Sequence, residues 1–178
     1  MIYIFGDSFS VSKNPDSWTN LLGGDVTQCS SNGSSEYRIW KTYNEHKNKI
    51  TDNDSCIFVH TSPYRIFLKD DVPLSSRAIS THTHCDILFN DVYSKKEKDF
   101  INILTTIWDD DFFEDTYRLY IDDLLTVPNS IHITFFPIDL VESLHTIWQT
   151  NKGTTNHMSA EGNRQTSKRI LQLLAKSR

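Results

Sequence analysis

The chain has 178 residues, 38% of them hydrophobic and 23% charged, with six glycines and five prolines. That size suits a single domain spanning 1–178 with one core, and the composition is neither that of a disordered or collagen-like chain nor that of a membrane span. Eighteen Lys and Arg against 23 Asp and Glu leave a net charge of −5, which disfavours a polyanion-binding surface, so neither nucleic acid nor membrane is expected as a partner.

Met1 leads straight into an apolar run without a charged or long hydrophobic leader, and Cys29, Cys56 and Cys85 are odd in number and widely spaced. Free thiols in a cytoplasmic protein are the expectation. The first element is "IYIF", residues 2–5, a fully apolar run ended by Gly6, as expected of a central strand buried on both faces. "SWTNLLGG" follows as a short helix carrying Trp18, Leu21 and Leu22, with Asp16 or Ser17 as its cap and the glycine pair as its stop. "DVTQCS" is a weaker second strand. "SNGSSEYRIWKTYNEH" reads as a loop entering a helix with Tyr37, Ile39, Trp40 and Tyr43.

"SCIFVH", residues 55–60, is the third strand, and Pro63 prevents its simple continuation. Residues 61–94 lack periodicity and predict a long irregular excursion. From Lys95 to about Thr126, apolar residues recur at three- and four-residue steps, which predicts one or two helices. "SIHITFF", residues 130–136, alternates as a fourth strand ended by Pro137, and "LHTIW", residues 144–148, is a short candidate fifth. The tail is a helix capped by Ser159, with Glu161 in its first turn and Thr166, Ile170, Leu173 and Leu174 on one face. Strands alternating with helices predict a three-layer α/β/α sandwich around a central parallel sheet of four or five strands, with its site beyond the carboxyl ends of the strands.

Two such ends carry reactive groups. Ser8, after Gly6-Asp7, reads either as a nucleophile or as a polar turn, since Asp and Ser are favoured turn formers. His157, two residues before Ser159, is a base that Ser8 would need. His60, Thr61 and Arg65 follow strand 3 and, with Asp7, are candidate substrate contacts.

"IFGDSFS", "GSSEYRI" and "NHMSAEGNR" together resemble, in order and spacing, the first, second and last blocks of the SGNH or GDSL-type hydrolases. The resemblance implies a flavodoxin-like SGNH hydrolase fold and a serine esterase that needs no metal or organic cofactor. It implies Ser8 as nucleophile, His157 as base, and an oxyanion hole from the Ser8 amide and the Gly33, Ser35 and Glu36 segment. The substrate it implies is a small acyl ester, such as an acetyl ester, on a carbohydrate or other polar molecule. The chain departs from the pattern at the third block, where "VHTSPYR" replaces the usual Asn and Ser62 is the alternative donor. It departs also at Thr154, where an orienting carboxylate normally stands; Asp139 or a backbone carbonyl is the substitute, or the pair acts as a dyad. Glu36 beside an oxyanion would be unfavourable unless it turned away or paired, with Arg38 or Arg65 as partners.

An inactive SGNH-fold binding or structural module is the alternative that these departures raise. A flavodoxin-like nucleotide binder lacks its Gly-rich phosphate loop. His82, His84, Cys85 and Asp86 have zinc-ligand chemistry but no second cluster, and "DDDFFED", residues 109–115, lacks EF-hand spacing and reads as a solvated helix face or helix junction. No metal is expected.

Overall fold

The computed structural model describes residues 1–11, 14–66, 87–88, 99, 102–103, 106, 109–153 and 158–177. Its centre is a five-stranded, wholly parallel sheet: β1 (Ile2–Gly6), β2 (Val26–Gln28), β3 (Ser55–His60), β6 (Ser130–Thr134) and β7 (Glu142–Ser143), in the order β2-β1-β3-β6-β7. β1 and β3 pair from Ile2 with Ser55 to Gly6 with Val59, so the two strands end side by side. The chain winds outward from β1 in one direction and then from β3 in the other, which puts a switch point between their carboxyl ends, where ligands bind in open parallel sheets.

Alternation sends the side chains of the strands into two cores. Ile4, Ile57, Val59, Ile131 and Ile133 pack with Trp18, Leu144, Ile170 and Leu174. These come from or adjoin α1 (Trp18–Leu21), α4 (His145–Thr150) and α5 (Ala160–Lys176). Tyr3, Phe5, Cys56 and Phe58 face the other way, onto Ile39 of α2 (Glu36–His46) and Leu124 of α3 (Asp110–Leu125). Helices therefore cover both faces, giving an α/β/α sandwich. The period of two along β1 and β3 builds both layers at once, which is why these strands are apolar at nearly every position.

The expected first, second and third strands, the helix after Ser35 and the final helix are all present. Ser159 caps α5 by accepting from the Gly162 N–H at 3.2 Å. Asp109 caps α3 by accepting from Phe112 N–H at 2.8 Å, so the acidic run 109–115 is a helix start. Upstream of Asp109 most of the expected helical stretch lies outside the described residues.

Three expectations are corrected. "LHTIW" is not a strand: Leu144 precedes α4, and Leu144, Ile147 and Trp148 reach the core at helical three- and four-residue spacing. The fifth strand is instead Glu142–Ser143, exposed and polar, hence silent in a hydrophobic pattern. The 61–94 excursion is not wholly irregular, because β4 (Arg65–Ile66) pairs antiparallel with β5 (Ile87–Leu88). Among the described residues no helix is long and apolar enough to cross a membrane.

Candidate functional site

Gly6 ends β1 because nothing larger fits. A Cβ there would overlap Ser10 Oγ and come within 2.7 Å of Val59 Cβ on β3. The chain then turns through Asp7 to Ser10. Asp7 Oδ1 accepts from Phe9 N–H at 3.0 Å, and Asp7 O accepts from Ser10 N–H at 3.0 Å and Ser10 Oγ–H at 2.8 Å. Ser8 is the half-buried second residue of this turn, as its turn reading expected, and the turn lies at the switch point.

Asp7 is fully buried, and burial raises its carboxyl above the ordinary value, opposed by Arg65, the Phe9 N–H and the Thr61 hydroxyl. Thr61 Oγ1–H donates to Asp7 Oδ2 at 3.1 Å, and Arg65 Nη2 stands 3.9 Å from the same oxygen. Of the four expected substrate contacts, Asp7, Thr61 and Arg65 thus meet one another, and His60 and Thr61 are buried. Arg65 is committed toward Asp7, so its charge is partly matched within the chain.

The segment from Ser31 to Glu36 adjoins this turn. Ser31 N–H donates to Gly6 O at 3.1 Å, Gly33 takes φ +71° in the left-handed region that favours glycine, and Ser35 caps α2 by accepting from Arg38 N–H at 3.4 Å. Because α2 follows a parallel strand, its amino end lies at the carboxyl edge of the sheet, where backbone amides and the helix dipole favour negative charge. Glu36, for which Arg38 and Arg65 were the expected partners, is the first residue of α2 and is met by a histidine. Its side chain turns inward instead: Oε1 lies 2.7 Å from His60 Nδ1, and Oε2 accepts from Thr61 N–H at 3.2 Å. The residue is 3% exposed, so its charge is directed away from solvent and into the fold.

Beyond His60 the polar contacts continue along the sheet. His60 Nε2 is 2.9 Å from His132 Nδ1, His132 Nε2 is 2.8 Å from Ser130 Oγ, and Ser130 Oγ–H donates to Val127 O at 2.6 Å. Desolvation, reinforced by His60, pushes the His132 imidazole down to about 3, so it is neutral. Tyr117 of α3 donates its hydroxyl to Thr61 O at 2.9 Å; burial and then the Glu36 and Asp7 carboxylates push that hydroxyl far above its ordinary value. Sequence reasoning missed His132, Ser130 and Tyr117. The available signal was "SIHIT", whose Ser, His and Thr occupy every second position of a strand buried between two helical layers.

Ser62 is buried; its Oγ accepts from Tyr64 N–H at 3.3 Å, which leaves the hydroxyl hydrogen for another acceptor. It lines a cavity of about 500 Å³ with Tyr64, Tyr117, Arg118, Phe136 and Asp139. The structure thus brings Ser62 and the exposed Asp139 to one cavity beyond the ends of β3 and β6.

His157 and Thr154 lie outside the described residues, as do His82, His84, Cys85 and Asp86. On the carboxyl side of His157, Met158 bridges to Lys152, and Ser159 N–H donates to Asn151 O at 2.8 Å. Asn163, in the first turn of α5, accepts from Trp18 N–H at 3.0 Å, while Trp18 Nε1–H donates to Phe9 O at 2.7 Å. The amino end of α5 is thereby tied to the residue after Ser8. Among the described residues no group of three or more His, Cys, Asp or Glu is placed to hold a metal ion. No family model matches this chain, and no curated protein or solved structure matches it either.

Proposed function

We propose that the protein is a serine esterase of SGNH type that cleaves a small acyl ester, such as an acetyl ester, of a carbohydrate or other polar molecule. The observation that carries the reading is the place of Ser8: it follows the central strand at the switch point, its turn linked through Asp7 to Thr61 and through Gly6 to Ser31 near the amino end of α2.

In this reading His157 takes the Ser8 proton as the oxygen attacks the ester carbonyl, and the tetrahedral oxyanion is held by the Ser8 amide, the amides of Gly33 to Glu36 and the Ser62 hydroxyl. The protonated His157 gives its proton to the leaving alcohol. Water, deprotonated by His157, then releases the acid from the acyl-enzyme and restores Ser8. The inward turn of Glu36 supports the assignment, because it removes a carboxylate from a position where it would oppose the oxyanion. The cavity beside Ser62 supplies room for one side of the ester. Either Asp139 orients His157 or the two residues Ser8 and His157 act as a dyad.

Hydrolysis of p-nitrophenyl acetate tests the proposal: turnover by the wild type and its loss in Ser8→Ala and in His157→Ala are expected. Asp139→Asn separates triad from dyad, since an orienting carboxylate supplies up to about 10⁴-fold in turnover. A folded wild type without turnover on any short acyl ester sinks the esterase reading and leaves a binding module.

A further inference from the structure

We infer that His60 is a buried imidazolium, protonated on both ring nitrogens and paired with a carboxylate at Glu36, and that this pair positions the Thr61–Ser62 turn beside the switch point. The hydrogens along one partly buried chain of contacts can be counted. Val127 O can only accept, so at 2.6 Å the single hydroxyl hydrogen of Ser130 is spent on it. Ser130 Oγ must then accept from His132 Nε2–H. His132 is neutral, its charged form disfavoured by burial and by His60, so with a proton on Nε2 its Nδ1 holds a lone pair. His60 Nε2 therefore donates to His132 Nδ1.

On its other side His60 Nδ1 meets Glu36 Oε1 at 2.7 Å, while Glu36 Oε2 accepts from Thr61 N–H. We infer that Glu36 is ionised, because it stands at the amino end of α2, where the helix dipole favours negative charge, and already accepts from Thr61 N–H; an ionised carboxylate only accepts, so Nδ1 carries a proton as well. His60 thus bears two ring protons and one positive charge, matched by one negative charge on Glu36. Each partner supplies what the other needs in a site where an unmatched charge would be strongly unfavourable.

The pair acts on the residues that come directly after His60. Thr61 is held from three elements: its N–H by Glu36 of α2, its hydroxyl by Asp7 after β1, and its carbonyl by Tyr117 of α3. The carbonyl of His60 itself accepts from Thr134 Oγ1–H at 3.2 Å. Among the described residues, the charged or titratable groups in contact about His60 and Thr61 are Glu36, His132, Asp7, Tyr117 and, beyond Asp7, Arg65. Ser62 is the next residue, and α2 begins at Glu36. One carboxylate consequently locks together the two segments to which the oxyanion hole was assigned. Its catalytic consequence rests on the esterase reading; the protonation of His60 does not.

Nitrogen-15 NMR of the histidine rings at neutral pH, in the intact chain, reads the inference directly. Wild-type His60 is expected to carry protons on both ring nitrogens and His132 on Nε2 alone; a His60 with one ring proton overturns the assignment. Glu36→Gln then removes the charge while keeping every hydrogen bond available, because the amide oxygen can accept from Thr61 N–H and the amide nitrogen can donate to a His60 Nδ1 lone pair. In that variant His60 is expected to drop to one proton, on Nε2, and the Thr61 and Ser62 amide resonances to move. Unmoved Thr61 and Ser62 resonances, with the proton gone, overturn the positioning role. In ester hydrolysis the same variant is expected to lose about tenfold in kcat with KM nearly unchanged, on the order of one charge-assisted hydrogen bond replaced by a neutral one. An unchanged kcat also overturns the positioning role. A wild type that hydrolyses no ester refutes the esterase reading alone, and the NMR results still decide His60 and its turn.

Discussion

Replacing Gly6 with alanine tests how the Asp7–Ser10 turn is built. The added Cβ would overlap Ser10 Oγ and lie 2.7 Å from Val59 Cβ and 3.0 Å from Val59 O. Val59 cannot yield, because it is fully buried and paired with Gly6 in the β1–β3 register. Ser10 can swing aside, but only by giving up its hydroxyl bond to Asp7 O and its 2.8 Å contact with Ser30 Oγ. Overpacking of this kind costs about 1–3 kcal/mol, and the lost hydroxyl bond about 1 kcal/mol more. Together these predict a loss of about 2–4 kcal/mol, and at about 2–4 °C per kcal/mol for a domain of this length, a fall in Tm of about 4–16 °C. Urea and thermal denaturation of Gly6→Ala measure it. A companion pair, Ser10→Ala and the Gly6→Ala/Ser10→Ala double variant, isolates the contact with β3: the double variant should remain at least about 1 kcal/mol below Ser10→Ala, because Val59 still clashes. Gly6→Ala within about 0.5 kcal/mol of the wild type would refute the claim that close approach of β3 dictates glycine here.

Asp7→Asn should become more stable relative to the wild type as pH rises. Burial raises the Asp7 carboxyl above 3.8, so between 3.8 and its folded value the native state binds more protons than the unfolded state, and wild-type stability falls as pH increases through that window. Urea midpoints of the two proteins across the window check this, and a difference moving in the opposite sense contradicts the burial argument. Glu36→Ala strips His60 of its counter-charge and Thr61 N–H of its acceptor, for an expected loss of about 3–5 kcal/mol, measured by chemical denaturation; a loss below about 1 kcal/mol would mean that the pair is readily solvated. Asn163→Ala leaves the Trp18 N–H without its 3.0 Å acceptor and should cost about 1–3 kcal/mol, seen as a lowered Tm together with a changed tryptophan emission.

Much of the architecture was legible because its evidence is local. "IYIF" and "SCIFVH" are apolar on both faces, as strands between two helical layers must be, and Ser159 and Glu161 mark the start of α5 before any fold is known. β7 was illegible for the opposite reason: Glu142 and Ser143 sit on an exposed edge strand and carry no hydrophobic signal. "LHTIW" misled because a five-residue apolar run supports either period, although its Leu144, Ile147, Trp148 spacing was the helical one. In the site, Ser8 could be placed from the strand before it. The partner of Glu36 could not, since His60 stands 24 residues away and reaches it only through the arrangement of β3 and α2. Arg38 and Arg65 looked better from charge alone. His60 meets Glu36 because it is the last residue of β3, buried at the carboxyl edge where α2 begins.

A nucleophilic Ser8 is the central claim, and labelling of the purified protein with a fluorophosphonate probe, read by mass spectrometry of the modified peptide, tests it most directly. One adduct per chain is expected, on the peptide containing Ser8, and it should be absent from both Ser8→Ala and His157→Ala. A folded wild type that takes no label, or takes it on another residue, would contradict the claim.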